Sequence, residues 1–162
     1  MNTEPRLFVG EFLATIDSEH RLTLPQKFQL GLPAEQSSLW MLAKERPGAL
    51  SIWSSTESQS RVDSEVVRMA ARLQGRMTPT QLGDNQRLMR LLSARTAEVK
   101  ISPKGRLTIP AECRDFLGIK VPGNCVIVGA GPAIEIWQPD TWQEYLKQEI
   151  NNFGSLLEKL AT

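Results

Sequence analysis

The sequence predicts an α+β fold made of two tandem copies of one strand-rich unit, with short helices outside the strands and a helix at the C-terminus. Arg21-Leu-Thr-Leu-Pro25 recurs as Arg106-Leu-Thr-Ile-Pro110, 85 residues further along the chain. Ala49-Leu-Ser-Ile-Trp53 similarly recurs as Ala133-Ile-Glu-Ile-Trp137. Because apolar and polar residues alternate around these motifs, we expect each copy to contain short half-buried strands.

This repeat divides the chain into a first unit with a trailing helix at 7–77, a second unit at 78–147 and a helical tail at 148–162. The full length of 162 residues, with 41% hydrophobic and 23% charged residues, is typical of a folded globular protein. The longest apolar runs have four or five residues, whereas a membrane-spanning helix needs about 20. The first dozen residues lack the apolar core of a secretion signal. We therefore expect a cytoplasmic protein.

The same succession of elements is expected in both copies. In the second copy, alternation over 99–101 and 107–109 predicts two strands joined by a tight reversal at 102–105. Pro110 suits the first position of a short helix that ends at Gly118. The remaining predicted segments are the equivalent first-copy helix between Pro25 and Gly31, strands at 39–42 and 50–53 with a turn at 46–48, and strands at 125–128 and 134–137 with a turn at 129–132.

Three further helices are predicted. Apolar spacing indicates one over about 57–74, Thr78-Pro-Thr-Gln81 is typical of a helix start, and Asp140-Thr-Trp-Gln143 resembles a capping box. Apolar residues at near-helical spacing then form a stripe along the tail. This stripe either binds a partner or packs on the chain's own core. Its members are Trp142, Tyr145, Leu146, Ile150, Phe153, Leu157 and Leu160.

The residues that support catalysis or metal binding are scarce. Cys113 and Cys125 lie 12 positions apart, and His20 is the single histidine, so a zinc site or a Cys–His pair lacks enough ligands. The acids Asp17 and Glu135 have no companion nucleophile or phosphate-binding loop. We expect no cofactor, no metal, no small-molecule substrate and no enzymatic activity. The four tryptophans could stack on bases, but their apolar strands favour core or subunit packing.

Positive charge is concentrated locally, although the whole chain has a net charge of only +1. Residues 87–106 contain six basic side chains and one acidic one. Lys104 and Arg106 flank Gly105 in the second-copy turn, and a two-stranded ribbon with such a tip can enter a DNA major groove. Arg21 occupies the equivalent position in the first copy, which indicates a site used twice. A merely solvated turn is the alternative.

The hairpin motifs resemble the bacterial MraZ family. Gly10-Glu-Phe12, the Asp17-x-x-x-Arg21-Leu-x-x-Pro25 hairpin, its second copy at 106–110, and the Ile134-Glu-Ile-Trp137 ending together resemble that family over about residues 7–147. The resemblance implies an AbrB-like swapped-hairpin barrel in two tandem copies and a DNA-binding transcriptional regulator. It also implies a repressor that binds short direct repeats at the promoter of the division and cell-wall gene cluster, and a ring-shaped homo-oligomer associated with the nucleoid.

In this interpretation the DNA-binding residues are Arg21, Arg106 and Lys104, with Lys100 and Arg95 as phosphate contacts. Asp17, Ser102 and Gly105 support the two turns. Two features depart from the family pattern. Glu19-His20 replaces the usual Lys-Gly, and Ser102 replaces the motif aspartate. We expect the Glu19 carboxylate to weaken the first half of the site. A protein-interaction module of the same fold, an antitoxin-like partner binder, is the alternative function.

Several chains would be needed for tight binding, because one chain offers only two cationic tips. If copies align their tips on one face, avidity rises by about 10²–10⁴ without new contacts. Repeated DNA sites would then correspond to ring-forming contacts between chains.

Overall fold

The computed structural model describes residues 7–54 and 78–161, and it has the α+β architecture expected from the repeat. The helix predicted over about 57–74 lies outside the described residues. In the first repeat the elements are β1 (Phe8–Ile16), β2 (Arg21–Thr23), α1 (Gln26–Gln29), β3 (Ser38–Arg46) and β4 (Ala49–Ser54).

The second repeat has the same succession and adds helices at both ends. Its elements are α2 (Pro79–Arg95), β5 (Thr96–Ile101), β6 (Arg106–Thr108), α3 (Ala111–Leu117), β7 (Gly123–Gly131), β8 (Ala133–Trp137), α4 (Pro139–Glu149), a 3-10 turn (Ile150–Asn152) and α5 (Phe153–Ala161).

The two repeats exchange strands, so they build one body. A six-stranded sheet has the order β1-β7-β8-β4-β3-β5, and β2 pairs with β6 in a separate two-stranded ribbon. Each first strand therefore pairs with the third strand of the other repeat. The two strands on either side of each turn were expected to form one ribbon per copy, and this is corrected. The ribbon pairs β2 of the first copy with β6 of the second, and each of these strands follows its own turn.

A pseudo-two-fold axis relates the two repeats. In the sheet it passes between Ser51 and Glu135, which are paired between β4 and β8. In the ribbon it passes between Leu22 and Leu107, which are paired between β2 and β6. Residues that correspond in the two copies thus lie on opposite sides of one axis, within a single chain.

The main core lies between the sheet and the layer formed by the ribbon and the short helices. Leu22 and Leu107 point into it from the ribbon, and Phe28 and Cys113 enter it from α1 and α3. These side chains are almost fully buried, as are the inward residues of the sheet strands. Burial at roughly 25 cal/mol per Å² of apolar surface holds the ribbon against the sheet. The outer surface of the ribbon remains exposed.

Helix boundaries follow the capping residues. The predicted capping box at 78–81 is confirmed, because Thr78 Oγ1 accepts from the Gln81 backbone N–H and Gln81 Oε1 accepts from the Thr78 N–H. The predicted start of α4 at Asp140 is wrong. Gln138 is its N-cap, since the Gln138 side-chain oxygen accepts from the Thr141 N–H at 2.8 Å.

Strand lengths also differ from the prediction. β7 continues to Gly131, through most of the turn expected at 129–132. Phe8 and Val9 at the start of β1 pair with Gly131 and Ala130, so pairing with the long β1 extends the strand. Gly131 then reverses the chain with a φ of +75°.

The apolar stripe of the tail divides into two parts. Trp142 is buried, and together with Tyr145 and Leu146 it packs on the sheet face opposite the ribbon. Ile150, Phe153, Leu157 and Leu160 are more than half exposed. Packing on the chain's own core is therefore confirmed for the first half of the stripe, and partner binding by the exposed second half stays a prediction. In the described part of the chain, no helix is long and apolar enough to cross a membrane.

Three of the four tryptophans belong to the core, and Trp53 is half-buried. Trp40, Trp137 and Trp142 are buried. The Trp137 indole N–H donates to Glu135, and the Trp142 indole N–H donates to Glu11 at 2.8 Å. The Trp142 bond joins α4 to β1.

Candidate nucleic-acid interface

The outer face of the β2–β6 ribbon brings the two motif arginines together. Leu22 and Leu107 point inward, so their neighbours point outward because side chains alternate along a strand. We call this outward surface the ribbon face. It consists of Arg21, Thr23, Arg106 and Thr108, which are all exposed.

The register places a threonine beside each arginine. Arg21 is opposite Thr108, and Thr23 is opposite Arg106. Each arginine therefore has the threonine of the other repeat as its cross-strand neighbour. The four side chains form a compact patch around the pseudo-two-fold axis.

The first turn, residues 17–20, is held by Asp17. Its Oδ1 accepts from the backbone N–H groups of Glu19 and Arg21, both at 2.9 Å. This is the hydrogen bonding that favours aspartate at the start of a tight turn. His20 adopts a φ of +62°, in the left-handed region.

The second turn, residues 102–105, has the same construction with different side chains. Ser102 Oγ accepts from the Arg106 backbone N–H at 3.1 Å, in place of the first-turn aspartate. Gly105 takes the left-handed position with a φ of +79°. The expected turn-supporting roles of Asp17, Ser102 and Gly105 thus have a direct geometric basis.

The two turns are fastened to each other. The Leu24 backbone N–H donates to the Gly105 carbonyl, and the Ile109 N–H donates to the His20 carbonyl, each at 2.8 Å. These reciprocal bonds continue the ribbon beyond its formal strands. They fix both turns relative to the ribbon face.

The charges of the two halves are unequal. Arg21 Nε lies 2.9 Å from Asp17 Oδ2, and an Arg21 terminal nitrogen lies 2.9 Å from Glu19 Oε2. The backbone N–H of Arg21, and then its side chain, hold the pKa of Asp17 below its usual range, so the carboxylate stays charged. Among the described residues, Arg106 forms no side-chain ion pair. The Arg106 guanidinium is consequently the one available to a ligand.

An open cleft of about 870 Å³ adjoins the ribbon face, and both arginines line it. Lys100 and Thr15 also line the cleft, and they are equivalent positions of β5 and β1. Lys104 is exposed in the second turn, at the position that Glu19 occupies in the first. Lys100 and Lys104 therefore add positive charge only on the second-repeat side.

Arg95 does not line this cleft. Its guanidinium donates two hydrogen bonds to the Lys44 backbone carbonyl, at 2.7 and 3.0 Å, and lies 3.9 Å from Glu45. These contacts join the end of α2 to β3. Arg95 therefore has a tertiary contact with β3, and its role as a phosphate contact stays a prediction.

Two kinds of residue in this region were not predicted from the sequence. Thr23 and Thr108 belong to the ribbon face, and their identity within both motif copies was the available signal. Gln29 and Arg114 support the ribbon from behind: Gln29 Nε2 donates to the Leu24 carbonyl, and Arg114 Nε donates to the Ile109 carbonyl. Because these two residues differ in type, the repeat alone did not reveal their shared role.

Comparison with known proteins supports the resemblance found in the motifs. Residues 92–160 match a family model described as "MraZ protein, putative antitoxin-like". The chain is 26% identical to the transcriptional regulator MraZ of Leuconostoc citreum, over 96% of this chain and 97% of that protein. It is 28% identical to the transcriptional regulator MraZ of Mycobacterium ulcerans, over 92% and 93% respectively.

Proposed function

Because this chain belongs to the MraZ family, we propose that it is a transcriptional regulator that binds double-stranded DNA through its ribbon face. Its relatives in Leuconostoc citreum and Mycobacterium ulcerans are named transcriptional regulators. The observation on which the proposal depends is the ribbon itself, which places Arg21 and Arg106 on one exposed surface.

The chemistry of the ribbon face suits base recognition. A two-stranded ribbon fits the major groove, where an arginine can bond guanine in a bidentate manner and a threonine can contact a base or a thymine methyl group. Lys104 and Lys100 would bind phosphate and fix the position of the ribbon. Arg106, which is free of ion pairs in the described structure, would make the stronger base contact.

We further propose that the DNA target is a set of short direct repeats in a promoter, that of the division and cell-wall gene cluster, and that the chain represses it. These details come from the family resemblance. A ring-like homo-oligomer would present several ribbon faces to the repeats, because a single face makes too few contacts for tight binding. Such a regulator would act in the cytoplasm, at the nucleoid.

The test compares Arg106→Ala with Arg21→Ala on duplex DNA from the 5′ flank of the protein's own gene. A lost bidentate contact costs about 1–3 kcal/mol per binding unit, so Arg106→Ala should lose roughly tenfold to a hundredfold in affinity per unit. Arg21→Ala should lose less, because Asp17 and Glu19 already hold that guanidinium. Fluorescence anisotropy measures both.

Lys147→Ala is the matched control, since it removes one exposed positive charge from α4, on the sheet face away from the ribbon. It should leave affinity unchanged. Thermal unfolding and light scattering should show that all three variants fold and assemble like the parent protein. Unchanged DNA affinity in Arg106→Ala would refute the proposal, and a larger loss in Arg21→Ala would reverse the order of the two halves.

Partner binding through the tail is the second candidate. Phe153, Leu157 and Leu160 on α5 are exposed, and the matching family model includes the words antitoxin-like. The salt dependence of binding separates the two functions. DNA affinity should fall steeply as salt rises, whereas an apolar tail contact should change little.

A further inference from the structure

The ribbon face has the symmetry of a palindrome reader. Its two strands are antiparallel, and the axis between Leu22 and Leu107 relates Arg21 to Arg106 and Thr23 to Thr108. A two-fold symmetric reader recognises two inverted half-sites equally well. The side chains on the ribbon face alone would therefore leave the chain without a preferred direction on DNA.

The turns beside the ribbon face break this symmetry in charge. Glu19 in the first turn corresponds to Lys104 in the second, and both side chains are exposed. Thr15 similarly corresponds to Lys100 at the wall of the cleft. One end of the face is therefore cationic, and the other presents a carboxylate.

The opposite charges of the two turns also affect the two arginines. Glu19 pairs with Arg21 at 2.9 Å, so the acidic turn also holds the guanidinium at its end of the face. No described side chain pairs with Arg106. Since DNA phosphates repel a carboxylate and attract an ammonium group, the two orientations of the ribbon in a groove differ in energy.

We propose that Glu19 and Lys104 set the direction in which each chain binds DNA. This inference rests on the proposed function. The Lys104 end contacts the phosphate backbone closely, and the Glu19 end lies where the backbone is farther away. A reader with a fixed direction recognises a non-palindromic site, and successive copies would then favour sites repeated in the same orientation.

The experiment is selection of bound sequences from a random duplex DNA library by the full-length protein. The parent chain should enrich a motif that differs from its own reverse complement. Glu19→Lys removes the carboxylate and its contact with Arg21, which keeps its ion pair with Asp17. The backbone N–H of residue 19 can still donate to Asp17. The motif selected by Glu19→Lys should become more similar to its reverse complement than the parent's motif is, although the Asp17–Arg21 pair and Lys100 keep part of the difference.

A second readout is the salt dependence on the motif selected by the parent. One additional phosphate contact should steepen the slope of log affinity against log salt by about 0.9 per chain in Glu19→Lys. Glu144→Lys is the matched control: it makes the same charge change at an exposed position of α4 and should leave motif and slope unchanged.

The outcomes separate the inference from the proposed function. If the parent enriches no sequence, DNA binding itself is refuted and the inference fails with it. If the parent enriches a palindrome, or if Glu19→Lys keeps the asymmetric motif, DNA binding stands and the directional role of Glu19 and Lys104 is overturned.

Discussion

Gly105→Ala should destabilise the protein much more than the equivalent change in the other repeat. Gly105 has a φ of +79°, and an alanine there costs about 1–2 kcal/mol in backbone strain. A Cβ at this position would lie 2.9 Å from Gln29 Cγ and 3.2 Å from Leu24 Cβ. Gln29 cannot simply move away without losing its hydrogen bond to the Leu24 carbonyl, worth about 1 kcal/mol.

A smaller effect acts in the opposite direction. Replacing glycine reduces the entropy of the unfolded chain and returns about 0.4–1 kcal/mol. The net loss for Gly105→Ala is therefore about 2 kcal/mol. His20→Ala is the matched control, because His20 already has a side chain at a φ of +62°, so it should change stability by less than about 0.5 kcal/mol.

Urea unfolding followed by tryptophan fluorescence measures both variants, provided that their m-values equal that of the parent. A Gly105→Ala protein within about 0.5 kcal/mol of the parent would refute the reasoning about strain and close approach. Equal losses in the two variants would show that the turns are not distinguished by their left-handed residues.

The remaining predictions concern buried groups. Burial raises the pKa of Glu135, more than the Trp137 indole N–H lowers it, so the parent loses stability as the pH rises from the unfolded glutamate value of about 4.3 through the raised folded value. The Gln side chain in Glu135→Gln can still accept the hydrogen bond from Trp137, so the free energy of unfolding should rise by up to about 1 kcal/mol above that pH range and be unchanged below it. Urea titrations at pH 4 and pH 7 measure this difference. Equal gains at both pH values would contradict burial as the cause. Burial raises the pKa of the Cys125 thiol to about 12 and also raises that of Cys113. Both thiols should therefore resist alkylation at pH 8 until denaturant exposes them, and rapid labelling of the folded protein would disprove their burial. Leu22→Ala should cost about 2–5 kcal/mol in urea unfolding, since Leu22 fills the core beneath the ribbon; a loss below 1 kcal/mol would mean that the ribbon is not held by this contact.

Local chemistry in the sequence was enough to locate most elements. The capping box at Thr78 begins a helix, and Gly118 ends one in the left-handed conformation, as the sequence predicts. The turns at 17–20 and 102–105 also follow from short-range bonds of Asp17 and Ser102. In each of these features the interacting residues are only a few positions apart. Both partners can therefore be recognised within one short stretch of sequence.

Where local signals competed, sequence alone gave the wrong residue. Gln138 caps α4 although Asp140 is a stronger capping residue by preference, because Gln138 stands where the chain leaves β8 and its backbone N–H donates to the Gly48 carbonyl. The basic run that contains Arg95 also gave no sign of the hydrogen bonds that its guanidinium donates to the Lys44 carbonyl, 51 positions earlier in the chain.

The sequence by itself determined the repeat, the alternation that makes Leu22 and Leu107 inward residues, and the opposite charges at Glu19 and Lys104. Only the tertiary structure decided that β2 pairs with β6 and thereby joins Arg21 and Arg106 on one ribbon face. The physical reason is that alternation specifies which side of a strand is buried, whereas backbone hydrogen bonds are alike along every strand. The choice of partner depends on packing across the whole core, and that choice placed the two arginines together.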